Sequence, residues 1–232
     1  MLEEVVPIQQ ERHGNKKIRP LEKFDFARDI HVASILINEF FRAAAVFPIV
    51  FIEDQEEDMF KPVALLGLEQ NQNLFVDSEG NWKASYVPAV LQRYPFTLAT
   101  TDEEDRYTVC VDENSELLNE QEGEPLFAEN GEAGEVLERV KQNLSELQQM
   151  EDLTQQFCEK LKENNLFTQY NMRLREGEGV RDITGAYVIN EDRLQNVSDD
   201  FFLELRKQNF LPAIYAHLVS LHQINTLVDM RE

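Results

Sequence analysis

From Val136 to Leu161 the residues Val136, Val140, Leu144, Leu147, Met150 (or Leu153), Phe157 and Leu161 recur at steps of three or four, with Glu, Gln and Lys between them. That spacing is the period of an α-helix and draws one apolar stripe along its length. A helix this long has to lay its stripe on something. The pattern lasts only about three and a half heptads, so the body of its own domain is the expected partner, with an intermolecular coiled coil as the alternative. Asn164-Asn165 suits its end.

Strand signals surround this helix. Phe167–Leu174 and Val180–Ile189 flank Glu176-Gly177-Glu178-Gly179, whose glycines supply the positive dihedrals of a tight turn. Earlier, Ile49–Ile52, Val63–Leu68 and Leu74–Val76 read as strands of one antiparallel sheet, the last pair joined by the polar Glu69–Asn73 turn. Phe96–Ala99 and Tyr107–Val111 form a further hairpin. Short amphipathic helices are expected over Ala33–Val46, with Ser34 near its start and Pro48 beyond its end, and over Tyr86–Arg93, with Pro88 in its first turn. Ser198-Asp199-Asp200 caps a helix through Gln208, and Leu211 starts the final one, whose face reads Leu211, Ile214, Tyr215, Leu218, Leu221 and Val228. No repeat is visible. The class is α+β: a mixed or antiparallel sheet with amphipathic helices, one long central helix and a C-terminal helix.

Charge organises the chain. Residues 1–30 hold six acids and six bases, whereas Asp112 to Glu138 holds ten acids and no Lys or Arg. The division expected is an amino-terminal extension, 1–23, followed by one domain, 24–232. Within that domain two subdomains, 24–111 and 133–232, can be drawn on either side of an acidic loop, 112–132. Leu126 and Phe127 would pin that loop to the body. A calcium loop needs oxygen ligands at alternate positions, a central Gly and a closing Glu, and no window fits.

The formal net charge is −22, from 22 bases and 44 acids among 232 residues. Such a chain repels phosphate backbones and anionic lipid, which argues against nucleic-acid and membrane-surface partners. No apolar run approaches the roughly 20 residues of a spanning helix. Residues 1–23 carry Arg12, Lys16, Lys17 and Arg19 without an apolar run after them, unlike a secretory signal. Two cysteines, Cys110 and Cys158, cannot build a disulfide scaffold. A cytoplasmic protein is expected.

Several blocks then stand in order: Phe47-Pro48-Ile49-Val50-Phe51, Ala64-Leu65-Leu66-Gly67-Leu68, Asn73-Leu74-Phe75-Val76 and Gly80-Asn81-Trp82. Tyr86-Val87-Pro88, Arg93-Tyr94-Pro95-Phe96 and Glu122 to Phe127 follow, and then Gly185 to Glu191 and Ile214 to Leu218. Taken together over about residues 24–230, the set resembles the bacterial SapC family. The resemblance implies a bacterial source and a family named for a component associated with a paracrystalline surface layer. It supplies no catalytic residues. Its occasional label as a transport permease conflicts with a chain that has nothing to span a bilayer.

The chemistry-bearing residues give weak signals. His217 and His222 share a helix, but five residues at about 100° each set them about 140° apart, too far round for one metal. His217 and Ser220 do share a face; local hydrogen bonding is the plainer role for His217, a ligand or base the sharper one. Asp29-Ile30-His31 reverses the usual His-x-Asp order of an iron site. No Gly-x-Ser-x-Gly elbow, dinucleotide fingerprint or phosphate-binding lysine loop is present. Cys110 and Cys158 read as small buried hydrophobes rather than nucleophiles.

An aromatic cluster remains: Phe75, Trp82, Tyr86, Tyr94 and Phe96. These rings either form the core of the amino-terminal sheet or line a pocket with Arg93 as its handle for an anionic group. Trp82, Tyr86, Arg93, Tyr94 and His217 are therefore the candidate ligand- or partner-binding residues. No metal, cofactor or catalytic set is expected. The functional expectation is a non-enzymatic, intracellular accessory protein with a protein partner, serving envelope or uptake functions. A surface-layer component exported without a signal is one alternative, and a small-molecule binder or enzyme with a pocket near Trp82, Arg93 or His217 is the other.

Overall fold

In the computed structural model residues 2–100, 107–176 and 179–231 are described. The sheet at the centre has five strands. β4 (Ile49–Asp54) pairs antiparallel with β5 (Met59–Leu65) over six positions, from Ile49–Ala64 to Asp54–Met59, and β3 (Val32–Ser34) closes the far edge of β5. On its other side β4 meets β11 (Gly179–Ile189) through only two pairs, Ile52–Ala186 and Phe51–Tyr187; β11 in turn pairs with β10 (Phe167–Glu176). The Glu176–Gly179 turn falls largely outside the described residues, at Gly177 and Glu178.

The expected long helix is α4 (Glu135–Glu163), about 43 Å at 1.5 Å per residue. Its stripe is shared between two cores. Phe157, Cys158 and Leu161 enter the larger one, where the Phe157 ring meets Phe40 at 5.9 Å and Phe210 at 5.2 Å. Val136 and Leu144, about four to six turns before Phe157, enter a smaller one with Ile18, Phe96, Val111 and Leu126.

The smaller core is built on two three-stranded sheets. β1 (Val5–Pro7) pairs with β7 (Tyr107–Asp112), which pairs with β6 (Phe96–Thr100) as the hairpin signal required. A four-residue helix, α1 (Gln10–His13), leads to β2 (Lys17–Ile18), which lies between β8 (Leu118–Asn119) and β9 (Glu124–Pro125). Residues 1–23 thus supply strands to both sheets, and the acidic segment 112–132 supplies both partners of β2. The buried Asp112 carboxylate accepts the Glu3 and Glu4 N–H groups at 2.9 and 3.1 Å. Leu126 is fully buried, as a pin must be.

Four local expectations are corrected. Ala33–Val46 is not one helix: Ala33 and Ser34 belong to β3, a 3₁₀ turn covers Ile37–Glu39, and α2 is only Phe40–Ala44. Side chains took the backbone donors a helix would have used, since Glu39 accepts Leu36 N–H at 2.9 Å and Thr154 accepts Ile37 N–H at 2.9 Å. Leu74–Val76 forms no strand of the sheet. Asn73 donates to Ala27 O and accepts Phe75 N–H, turning the chain away, and Val76 makes only a bridge with Trp82. The Tyr86–Arg93 helix shrinks to α3 (Ala89–Gln92), with Pro88 at its cap.

The carboxyl-terminal region is the fourth case. After α5 (Glu191–Gln195), α6 (Asp199–Lys207) starts where Ser198 Oγ accepts Phe201 N–H, as its sequence requires. The final helix breaks at Leu221-His222 into α7 (Leu211–Ser220) and α8 (Gln223–Asp229). The buried side of α7 is Ala213, Ile214, Ala216, His217 and Ser220, which turns Tyr215 outward.

Phe157→Ala is expected to cost about 3–5 kcal/mol in urea unfolding, the usual range for deleting a buried aromatic. Phe41→Ala, at a side chain 67% exposed, should shift stability by no more than about 0.5 kcal/mol.

Candidate functional site

The residues singled out from the sequence fall into three places. In the first, Trp82 and Tyr86 meet around an acid the sequence reading missed. Glu39 is 2% exposed, and its carboxylate takes three donors: Leu36 N–H at 2.9 Å, Ala89 N–H at 2.8 Å and the Tyr86 hydroxyl at 2.5 Å. Burial, and then the carboxylate it donates to, push the Tyr86 phenol well above its ordinary pKa. The Arg42 guanidinium lies over the Tyr86 ring, 5.2 Å from its centroid. The Trp82 indole N–H donates to the Tyr86 carbonyl at 2.7 Å, while its ring packs on Phe24, Phe75 and Phe47 at 5.4, 5.9 and 6.2 Å. Trp82 therefore belongs with the core aromatics. Glu39 had one signal: it is the only carboxylate between Asp29 and Glu53.

Arg93 and Tyr94 follow directly but look into different spaces. Arg93 caps the end of α3 and faces a gap of about 350 Å³ between α3 and α4. Tyr94, before a cis Pro95, stacks on Phe26 with ring centroids 3.9 Å apart and planes 7° from parallel. That pair separates two clefts. The larger, about 860 Å³, is walled by Arg19, Lys23, Glu116 and Gly123; the smaller, about 400 Å³, by Glu3, Asp29, Asn71 and Asp112. Burial raises the pKa of the Tyr94 phenol.

His217 lies apart from all of these, fully buried where the β4–β11 ladder stops. Its Nε2 accepts Ile189 N–H at 3.1 Å, which leaves Nδ1–H to donate to Ile49 O at 3.0 Å. Ser220 Oγ accepts Ile49 N–H at 3.0 Å and donates to His217 O at 2.6 Å. Burial lowers the imidazole pKa to about 4, so the ring is neutral in the fold. His217 and Ser220 thus replace strand partners, as their shared face allowed. The two thiols are buried as well, and burial raises the pKa of each.

A second buried histidine went unnoticed in the sequence. His13 is held by the Gln9 backbone and by Glu113, whose Oε1 lies 3.0 Å from its Nε2.

The SapC family model matches residues 8–227, which takes in β2, both cores and all but the end of the last helix. The chain belongs to the SapC family. No curated protein and no solved structure matches it. The match begins at Ile8, so the SapC unit includes most of the amino-terminal segment as well as the blocks from residue 24 onward. Among the described residues of this SapC chain no helix is long and apolar enough to cross a membrane.

Two predictions follow the geometry. Glu39→Ala strands three donors and should cost about 3 kcal/mol or more in urea unfolding, against about 1 kcal/mol for Tyr86→Phe, which removes one hydroxyl. His217 should make the fold acid-sensitive. The unfolded imidazole takes its proton near pH 6.5 and the folded one only near pH 4, so this stability is complete above 6.5 and falls through that window. The slope is at most about 1.4 kcal/mol per pH unit. Urea unfolding between about pH 7.5 and pH 4.5 should show a shallower pH dependence in His217→Gln than in the wild type; equal slopes would overturn the assignment.

Proposed function

We propose that this protein is a non-enzymatic accessory that works by binding another protein inside the cell, in the service of the envelope or of uptake. The observation that carries this reading is a surface without charge on a chain crowded with it. From Gln208 to Val228 there is no Asp, Glu, Lys or Arg, although 28% of the whole chain is charged. α7 lies inside that stretch and exposes Tyr215 and Val219 at 50% and 63%, one helical turn apart. At the edge of this stretch, Phe202 of α6 shares a groove with Tyr215 that Glu191 and Asp199 also line; α6 exposes Leu203 as well, and α2, packed against α7, exposes Phe41. Exposed apolar side chains on an uncharged helix are what the centre of a protein interface is made of.

The groups that could do chemistry support the same reading by their commitments. His217 has both ring nitrogens bonded to backbone, Glu39 has three donors, and burial keeps both thiols protonated. Each completes the fold.

The test is a photo-crosslinking residue placed at Tyr215 in cells of the native host, with the exposed Glu159 position as control. One discrete protein adduct at 215, absent at 159 and abolished by Val219→Asp with an unchanged melting temperature, is the expected result. Identical adducts at both positions, or none at 215, would remove the docking role. Protease treatment of intact cells addresses the location: protection until lysis is expected, and cleavage on intact cells would favour a surface-layer component instead.

A further inference from the structure

Arg93 carries a positive charge that no carboxylate contacts among the described residues. Its Nε is buried without a hydrogen-bond partner, and among the described residues its guanidinium makes no ion pair. Burial lowers its pKa, and Glu151 opposes that only through space. A chain with twice as many acids as bases has no shortage of carboxylates to offer such a group. An uncompensated, partly desolvated cation is costly, so a partner from outside the chain is the physical expectation.

The gap that Arg93 faces has a definite chemistry. Asn143, Glu146, Leu147 and Met150 line it from α4, and their i, i+3, i+4, i+7 spacing puts them on one face of that helix. Ala89, Gln92 and Asn38 complete the lining. The Glu146 carboxylate accepts the Gln142 side-chain amide at 3.0 Å and, like Arg93, pairs with no opposite charge among the described residues. One small space therefore holds an unneutralised cation and an unneutralised anion that do not reach each other, beside the apolar surfaces of Leu147 and Met150.

We propose that this gap binds a free α-amino acid with an apolar side chain. The ligand's carboxylate pairs with the Arg93 fork and its ammonium with Glu146, while its side chain lies on Leu147 and Met150. Asn38 and Asn143 offer amides to orient it. A plain carboxylate would satisfy Arg93 but face Glu146, and a plain amine would do the reverse; only a zwitterion answers both. About 350 Å³ sits at the small end of ligand sites and suits a ligand of this size. The site uses α3 and α4 and does not rest on the docking face of α7.

The experiment is a thermal-shift screen of the full chain against each standard L-amino acid, followed by calorimetric titration of the strongest responder. Its deaminated carboxylate and its decarboxylated amine serve as matched probes. The expected result is saturable binding of an apolar amino acid, weakened at least about tenfold in each probe. Arg93→Gln and Glu146→Gln should each weaken it to a similar degree, with the unliganded melting temperature of Glu146→Gln unchanged because that side chain is exposed. Absence of saturation by every amino acid would overturn the proposal. So would a carboxylate probe that binds as tightly as its parent, or wild-type affinity in both variants.

Discussion

The apolar stripe of α4 is the constraint on which the rest of the molecule depends. This helix, about 43 Å long, reaches both cores, and its two ends are buried against different sheets. Phe157 and Leu161 anchor the five-stranded sheet with α2 and the Phe210 region; Val136 and Leu144 anchor the two small sheets made by the amino-terminal segment and residues 96–125. Short strands such as β2, β8 and β9 have two residues each and could not hold together alone. They persist because Ile18, Leu126 and α4 give them something to lean on. Between its ends, α4 also fixes the 3₁₀ turn at Ile37 through Thr154.

A second rule governs the interior. At several places where regular pairing stops, a buried polar side chain takes over free backbone groups. Asp112 does this for Glu3 and Glu4, Asn73 for Ala27 and Phe75, Glu39 for Leu36 and Ala89, and the His217–Ser220 pair for Ile49 and Ile189. In a low-dielectric interior an unmet backbone donor is costly, which is why these side chains are polar inside an apolar core. Among the candidate binding residues, His217 is spent on this task. Arg93, whose buried Nε has no hydrogen-bond partner, is not spent in this way.

What was legible in the sequence was periodic or local. The α4 stripe, the β6–β7 and β10–β11 hairpins and the Ser198 cap each rest on residues a few positions apart, and all four stand as read. What was not legible depended on distant partners. The apolar spacing of Ala33–Val46 was sound, yet Thr154, 117 residues away, competes for its backbone. Tyr86 was marked for its ring, and its partner Glu39 lies 47 residues earlier. Trp82 read evenly as pocket or core until Phe24, Phe47 and Phe75 closed around it. The isolation of Arg93 was invisible for a different reason: no pattern of residues announces a missing partner.

The seam closed by His217 has a consequence for the order in which the chain can fold. Ile49 waits for groups on α7 that lie 168 and 171 residues further along the chain. At roughly 5–20 residues per second, a ribosome needs on the order of ten to thirty seconds to make that stretch. For most of it β4 has only its β5 ladder, and the β11 side, two pairs long, comes late, with the polar edge of the apolar run uncovered. The seam is thus closed only once α7 has been made, a high-contact-order closure that leaves this strand edge of the nascent chain open until then.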